Sequence, residues 1–197
     1  MPYNFAINQS QKDRLFADIA IDTDKIVVPQ VMVDNWQQTL DLLSELVDTP
    51  AALIMRVHQT DIEVFTSSRT QGNPYKKHDK DSLGHGLYCE TVIKGGKELH
   101  IPNALKDKDW DKNPDIKLGM IAYCGLPLRW PDNSAFGTIC MLDNKEHNYS
   151  QSFRSLLARF QNGIEANLVT LYQQAKLQLH NQELEQKVQQ RTHELAE

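Results

Sequence analysis

The chain has 197 residues, with 21 Lys and Arg against 26 Asp and Glu and a formal net charge of −5. This is enough for one good core plus an appendage, and no global basic field exists to hold a phosphate backbone, so nucleic-acid binding is not expected. No apolar run nears the roughly 18 residues of a membrane span, and the start MPYNFAINQSQKDR lacks the parts of a signal peptide, so no membrane association and a cytoplasmic location are expected.

Residues 1–33 read as an N-terminal helical or extended segment, with Leu15, Phe16, Ile19 and Ile21 spaced for a short helix giving way to extended chain. From Asp34, an expected N-cap, Trp36, Leu40, Leu43, Leu46 and Val47 follow helical spacing until Thr49-Pro50. Ala52–Val57 and Ile62–Ser67 read as a strand hairpin across the polar turn His58–Asp61. The polar stretch 69–86 reads as a long mobile loop, either a lid over a binding site or a solvated connection.

A short helix is expected over Tyr88–Lys94, stopped by Gly95-Gly96, followed by a strand over Glu98–Ile101 and an acidic loop over Lys106–Asp115. Met120–Arg129 and Phe136–Asp143 read as two strands around the turn Pro131–Ala135, in which Asn133 must supply any left-handed position. In the first of these, Tyr123 and Arg129 share one face and Cys124, Leu126 and Leu128 the other. The mixed face suits a polar ligand, and the apolar one suits long helices.

Ser150 is the expected N-cap of a helix with no stop before the chain ends. Phe153, Leu157, Phe160, Ile164, Leu168, Leu171 and Ala175 line one of its faces. Beyond Lys176 the stripe changes phase, and Leu177, Leu184, Val188 and Leu195 fit coiled-coil d, d, a and a positions with Asn181 at a. A buried a-position Asn favours a parallel two-stranded coil, because its twin satisfies its amide. A homodimer through this helix is therefore expected, against the alternative of a surface helix.

Several words between Leu87 and Asp143 carry a family resemblance. They are Tyr88-Cys89 opening the short helix, Leu99-His100-Ile101-Pro102-Asn103-Ala104 before a Trp-bearing loop ending Asn113-Pro114, Tyr123-Cys124-Gly125-Leu126-Pro127-Leu128, and Phe136-Gly137-Thr138-Ile139-Cys140-Met141-Leu142-Asp143. In order and spacing they resemble a GAF domain of the sensor histidine kinase or diguanylate cyclase type, and the run Leu184–Leu195 resembles the signalling helix that follows such domains.

That resemblance implies an α+β fold, with helices packed on a central antiparallel sheet and a long C-terminal coiled-coil helix. Residues 34–170 would be the sensor domain and 171–197 the signalling helix, which leads to a covalently linked output domain missing from this chain. It implies a regulatory domain that binds an unknown small molecule between the sheet and the segment carrying the long loop and short helix. The candidate ligand contacts are Phe65, Tyr88, Glu90, Thr91, His100, Trp110, Tyr123, Thr138 and Cys140.

For catalysis and metals the residues offer little. Gly84-His85-Gly86 lacks the spacing and lysine of a nucleotide loop, and His78, His85, Cys89 and His100 lack the paired spacing of a zinc site. No cofactor is identifiable, and none of the three cysteines has the adjacent histidine that a covalent bilin would need in the family's photoreceptor branch. Cys89, Cys124 and Cys140 lie in apolar segments and read as reduced core thiols. One enzymatic alternative is a GAF-type free methionine sulfoxide reductase, with Cys89 activated in the first turn of the short helix and a second thiol resolving it. Another alternative is a ligand-free dimerisation domain, whose cavity its own aromatic side chains would fill.

Overall fold

The computed structural model describes residues 21–195, so the expectation on Leu15, Phe16 and Ile19 lies outside the described residues. Residues 27–168 form one compact unit, and the described part of a second comprises 21–26 and 169–195.

In the first unit, helix α1 spans Gln30–Val47. It starts four residues before the expected Asp34 cap because Pro29 holds the cap position, with its carbonyl accepting the Met32 and Val33 amides. Asp34 instead accepts a hydrogen bond from Gln30 within the helix, at 2.7 Å. Val33, Trp36, Leu40 and Leu43 form the buried stripe, whereas Leu46, expected in it, is exposed. Asp48 closes the helix in a left-handed conformation at φ 52°, a role Asp tolerates through its short polar side chain.

Strands β1 (Ala51–Val57), β2 (Asp61–Ser67), β3 (Lys80–Ser82), β4 (Leu99–Ile101), β5 (Ala122–Arg129) and β6 (Ala135–Asp143) make one six-stranded sheet in the order β3-β2-β1-β6-β5-β4. Every pairing is antiparallel. The fold is thus α+β, as expected. Strands β1, β6 and β5 occupy the middle and are covered on both faces, which is why they read as near-continuous apolar runs rather than alternating ones. The β5–β6 turn places Asn133 at φ 67°, the left-handed position its sequence demanded.

Helix α2 spans Tyr88–Gly95 and ends at Gly96 with φ 61°. Its Tyr88 and Val92 pack with Leu53, Met55, Tyr123, Cys140 and Leu142 from one face of the sheet. Helix α3 spans Gln151–Glu194 and is capped as expected, with the Phe153 amide donating to Ser150 Oγ at 3.1 Å. Within the first unit it lies with α1, joined to it by Trp36 Nε1 donating to Asn167 Oδ1 at 3.0 Å. It also caps backbone at the end of β5, where Gln161 donates to the Pro127 carbonyl and Glu165 accepts the Arg129 amide. Phe153, Leu157, Ile164 and Leu168 are buried.

Segment 69–86 was expected to be a mobile loop, but it is tied along its length. The Arg69 amide and guanidinium both donate to Asp41 of α1. Asn73 donates to Ser67 Oγ and the Ser68 carbonyl. His78 and Asp79 exchange backbone hydrogen bonds with Val64, after which β3 pairs with β2.

In the second unit, α3 runs on as helix from Val169 without interruption through the phase change. Leu177, Leu184, Val188 and Leu195 are exposed there, with Asn181 between them.

Candidate functional site

A cavity of about 180 Å3 lies in the first unit between the sheet and segment 69–86. Its floor is apolar, built from Leu53 and Met55 of β1, Ile62 and Val64 of β2 and Leu142 of β6. Each pair is two residues apart on its strand, so period-2 alternation aims both side chains at the same face. The walls come from Pro74, Tyr75, Asp79, Asp81, Leu87, Cys89, Asp115 and Leu118. Asp115 is reached by Tyr75, whose hydroxyl donates to its carboxylate at 2.7 Å. Burial raises the Asp115 carboxyl above its ordinary value, against the pull of the Tyr75 bond, and Asp81 adds to the rise. Burial also raises the Tyr75 phenol, which stays protonated as the donor.

The wall at Leu87 is held by Glu90, which is 4% exposed. Its carboxylate accepts the amides of Gly84, His85 and Leu87 and the Lys94 ammonium. The bond to Leu87 is half of a capping box for α2. Burial works to raise the Glu90 carboxyl, but the hydrogen bonds outweigh it and hold the group below its usual range. Glu90 therefore fixes the loop–helix junction and is not among the cavity-lining residues.

Behind the cavity is an aromatic and thiol cluster. Tyr88 lies between Tyr123, stacked at 4.7 Å, and Trp110, tilted at 5.3 Å, and its hydroxyl is buried with no hydrogen-bond partner among the described residues. Cys89 Sγ lies 3.4 Å from the Tyr123 hydroxyl, 3.9 Å from Cys140 Sγ and accepts from Thr138 Oγ1 at 3.3 Å. Those hydrogen bonds, the one with Cys140 foremost, lower the Cys89 thiol despite its burial. Burial raises the Cys140 thiol, and the neighbouring Cys89 raises it further. Gly125 makes the cluster possible, since a Cβ there would sit 2.2 Å from the Tyr123 hydroxyl.

Tyr88, Trp110, Tyr123, Thr138 and Cys140, five of the nine candidate contacts, are brought together behind the cavity, and none of the nine is among the residues that line it. Phe65, Thr91 and His100 lie elsewhere. Between Ile54 and Met55 the β1–β2 register shifts, leaving Phe65 as the extra residue of a bulge. Its ring packs on Trp36 and Phe136, with the Arg56 guanidinium above it. Thr91 is exposed on α2. His100 pairs with Cys124 while its neighbour Ile101 pairs with Tyr123, so His100 is on the other face of β4, against the Tyr149 ring at 6.0 Å. Burial, reinforced by Arg154, lowers the His100 imidazole.

The Tyr123 face of β5 does meet the cavity side, and Arg129 lies there too, against Gly96 of α2. Tyr75 and Asp115 carry only weak signals in the sequence, an aromatic in a polar loop and an Asp at the end of an acidic loop. Cys124 sits elsewhere, buried and with its thiol pushed up to about 12 by that burial.

A six-stranded antiparallel sheet, capped on one face by a loop and a short helix around a small cavity, defines a regulatory sensor fold of the kind found in signalling proteins. The family model of the GAF domain matches residues 36–169, and the chain belongs to the GAF-domain family. No curated protein is detectably similar in sequence.

Among solved structures, the GAF domain of an Acinetobacter phosphoenolpyruvate-protein phosphotransferase is similar at 12% identity and TM-score 0.57, covering 84% of this chain and 97% of that one. The blue-light-absorbing PixJ GAF domain of Thermosynechococcus elongatus is 14% identical at TM-score 0.58, covering 81% and 98%. A Neisseria meningitidis free methionine-R-sulfoxide reductase, in complex with its substrate, is 13% identical at TM-score 0.57, covering 86% and 88%. At these identities the likeness concerns the fold alone. Among the described residues no helix is long and apolar enough to cross a membrane.

Proposed function

We propose that this GAF domain is a cytoplasmic sensor of a small molecule, and that it relays its state through a dimeric C-terminal helix to a covalently linked kinase or cyclase output domain. The observation that carries the reading is the cavity, with its apolar floor and the Asp115–Tyr75 pair on its wall. At about 180 Å3 it falls below the roughly 300–1,000 Å3 of sites for drug-sized ligands, which suits a metabolite with a short apolar body. Asp79, Asp81 and Asp115 line it against Lys80 alone, and Lys80 is paired with Asp61. A ligand bearing an amine or another strong hydrogen-bond donor fits that wall. Tyr88, Trp110 and Tyr123 fill only the space behind it, which favours a sensor over a domain that serves dimerisation alone.

The relay would use Leu177, Asn181, Leu184, Val188 and Leu195 between two copies, and a ligand would act by its different affinity for two arrangements of that pair. Native mass spectrometry of the purified chain tests both parts. A dimer with added small-molecule mass, lost in a Met55→Trp variant that fills the cavity, is the expected result. A bare dimer unchanged by Met55→Trp in any ligand screen would return the reading to a dimerisation domain, and a monomer would remove the relay.

A further inference from the structure

Two of the three cysteines meet at one spot, and the cavity opens onto one of them. Cys89 is the second residue of α2 and lines the cavity, while Cys140 comes from β6 in the middle of the sheet. Their sulfurs are 3.9 Å apart. Thr138 donates to Cys89 from the same strand as Cys140, and the Tyr123 hydroxyl stands 3.4 Å from that sulfur on another side.

We propose that Cys89 and Cys140 form a dithiol site that is oxidised by small hydroperoxides entering through the cavity, with Cys89 as the attacking sulfur and Cys140 as the resolving one.

The asymmetry of the pair assigns the roles. A thiol reacts as its thiolate, and hydrogen-bond donors around a sulfur stabilise that form. Cys89 has the donors and the access to the cavity, whereas Cys140 is 0% exposed and its thiol is raised by burial. In the first step the Cys89 thiol gives up its proton to solvent and the thiolate attacks one peroxide oxygen. The O–O bond breaks, the leaving oxygen takes up a proton and departs as water or alcohol, and Cys89 becomes a sulfenic acid. In the second, Cys140 sulfur attacks Cys89 sulfur, the S–O bond breaks, and the departing hydroxyl takes the Cys140 proton to leave as water. The two thiols are oxidised by two electrons, and the peroxide is reduced by the same two.

Closing the bond requires the sulfurs to approach from 3.9 Å to about 2.05 Å. Cys89 can supply that movement, because it lies at the start of an eight-residue helix, whereas Cys140 is fixed between β1 and β5. The product would staple α2 to the centre of the sheet. It would also shift Glu90 and the loop it holds, next to the ligand cavity. The site does not depend on the domain binding a metabolite, so it stands or falls apart from the sensor reading.

The test is to treat the purified chain with hydrogen peroxide at neutral pH, quench it with an alkylating agent and map the peptides by mass spectrometry. The expected product is lighter by two hydrogens, carries a Cys89–Cys140 cross-link and reverts with dithiothreitol. Cys124, on the other face of the sheet, serves as internal reference and should oxidise at least about tenfold more slowly. In Cys140→Ser, dimedone should trap a sulfenic acid on Cys89. The wild-type measurement needs no variant to fold. The proposal is overturned if Cys89 and Cys140 stay alkylatable after Cys124 has reacted, or if Cys89 proceeds to sulfinic acid without joining Cys140.

Discussion

Gly137 leaves no room for a side chain against the neighbouring central strand, and replacing it by Ala should disturb the fold and the thiol cluster together. A Cβ at that position would lie 1.7 Å from the Met55 carbonyl oxygen and 2.6 Å from its carbon, both backbone atoms of β1. Ordinary carbon contacts begin near 3.5 Å, so β1 and β6 would have to separate by more than an ångström. The pairs Met55–Thr138 and Arg56–Gly137 sit at that point of the ladder. Weakening about two ladder bonds costs roughly 1–3 kcal/mol, and overpacking adds about 1–3 kcal/mol. The sum, roughly 2–6 kcal/mol, corresponds to a Tm lower by about 5–20 °C in a chain of this size.

Gly125→Ala is the matched control, because its Cβ would meet side-chain atoms only, the Tyr123 hydroxyl at 2.2 Å and the ring carbons beside it at 2.5 and 2.8 Å. A buried ring can shift by less strain than a paired strand can separate, so Gly125→Ala should cost less than Gly137→Ala while still pulling the Tyr123 hydroxyl from Cys89. Urea titration measures both variants, and the alkylation rate of Cys89 reports the cluster. If Gly137→Ala unfolds within about 1 kcal/mol of wild type, or is the milder of the two, the close-approach reasoning is wrong.

Tyr88→Phe removes a buried hydroxyl that has no partner among the described residues and should raise stability by about 1–3 kcal/mol; a lower Tm would show that the hydroxyl makes a bond the fold relies on. Glu90→Gln leaves one carbonyl oxygen where two carboxylate oxygens accept four donors, at a cost of roughly 1–3 kcal/mol, and hydrogen exchange at Gly84–Leu87 should rise. Because the Glu90 carboxyl is held below its ordinary value, its contribution is complete above the unfolded pKa of about 4.3 and is lost as pH falls through the folded one. The wild-type advantage over Glu90→Gln should therefore vanish in acid, and an advantage constant down to about pH 2 would contradict the assignment. Asn181→Leu should make the C-terminal helix associate more strongly and less selectively, with species larger than dimers by sedimentation; a monomer in both proteins would contradict pairing through this stripe.

Strand alternation and turn chemistry make the framework legible in the sequence. Asn133 had to be left-handed because the turn offers no glycine, and Ser150 had to start a helix because an apolar stripe begins three residues later. Backbone and solvent impose such rules locally, so a sequence can express them. Tyr88, Tyr123, Thr138 and Cys140 could be grouped because motif words placed them on elements of known order, although the cavity itself is lined by other residues. Phe65 and His100 were misplaced for opposite reasons: a bulge inserts one residue beside Met55, and a one-residue step along β4 exchanges its faces.

By itself, then, the sequence determined the three helices, five of the six strands and their order, the GAF family and the apolar stripe of the last helix, but not β3, whose three exposed polar residues carry no strand pattern. Only the tertiary structure decided that segment 69–86 is anchored rather than loose, that Tyr75 crosses to Asp115 and that two cysteines 51 positions apart meet at 3.9 Å. The division follows from range. Propensity and periodicity act over a few residues and are written into every stretch of chain, whereas a cavity and a thiol pair exist only where elements distant in sequence are brought to the same face of a sheet.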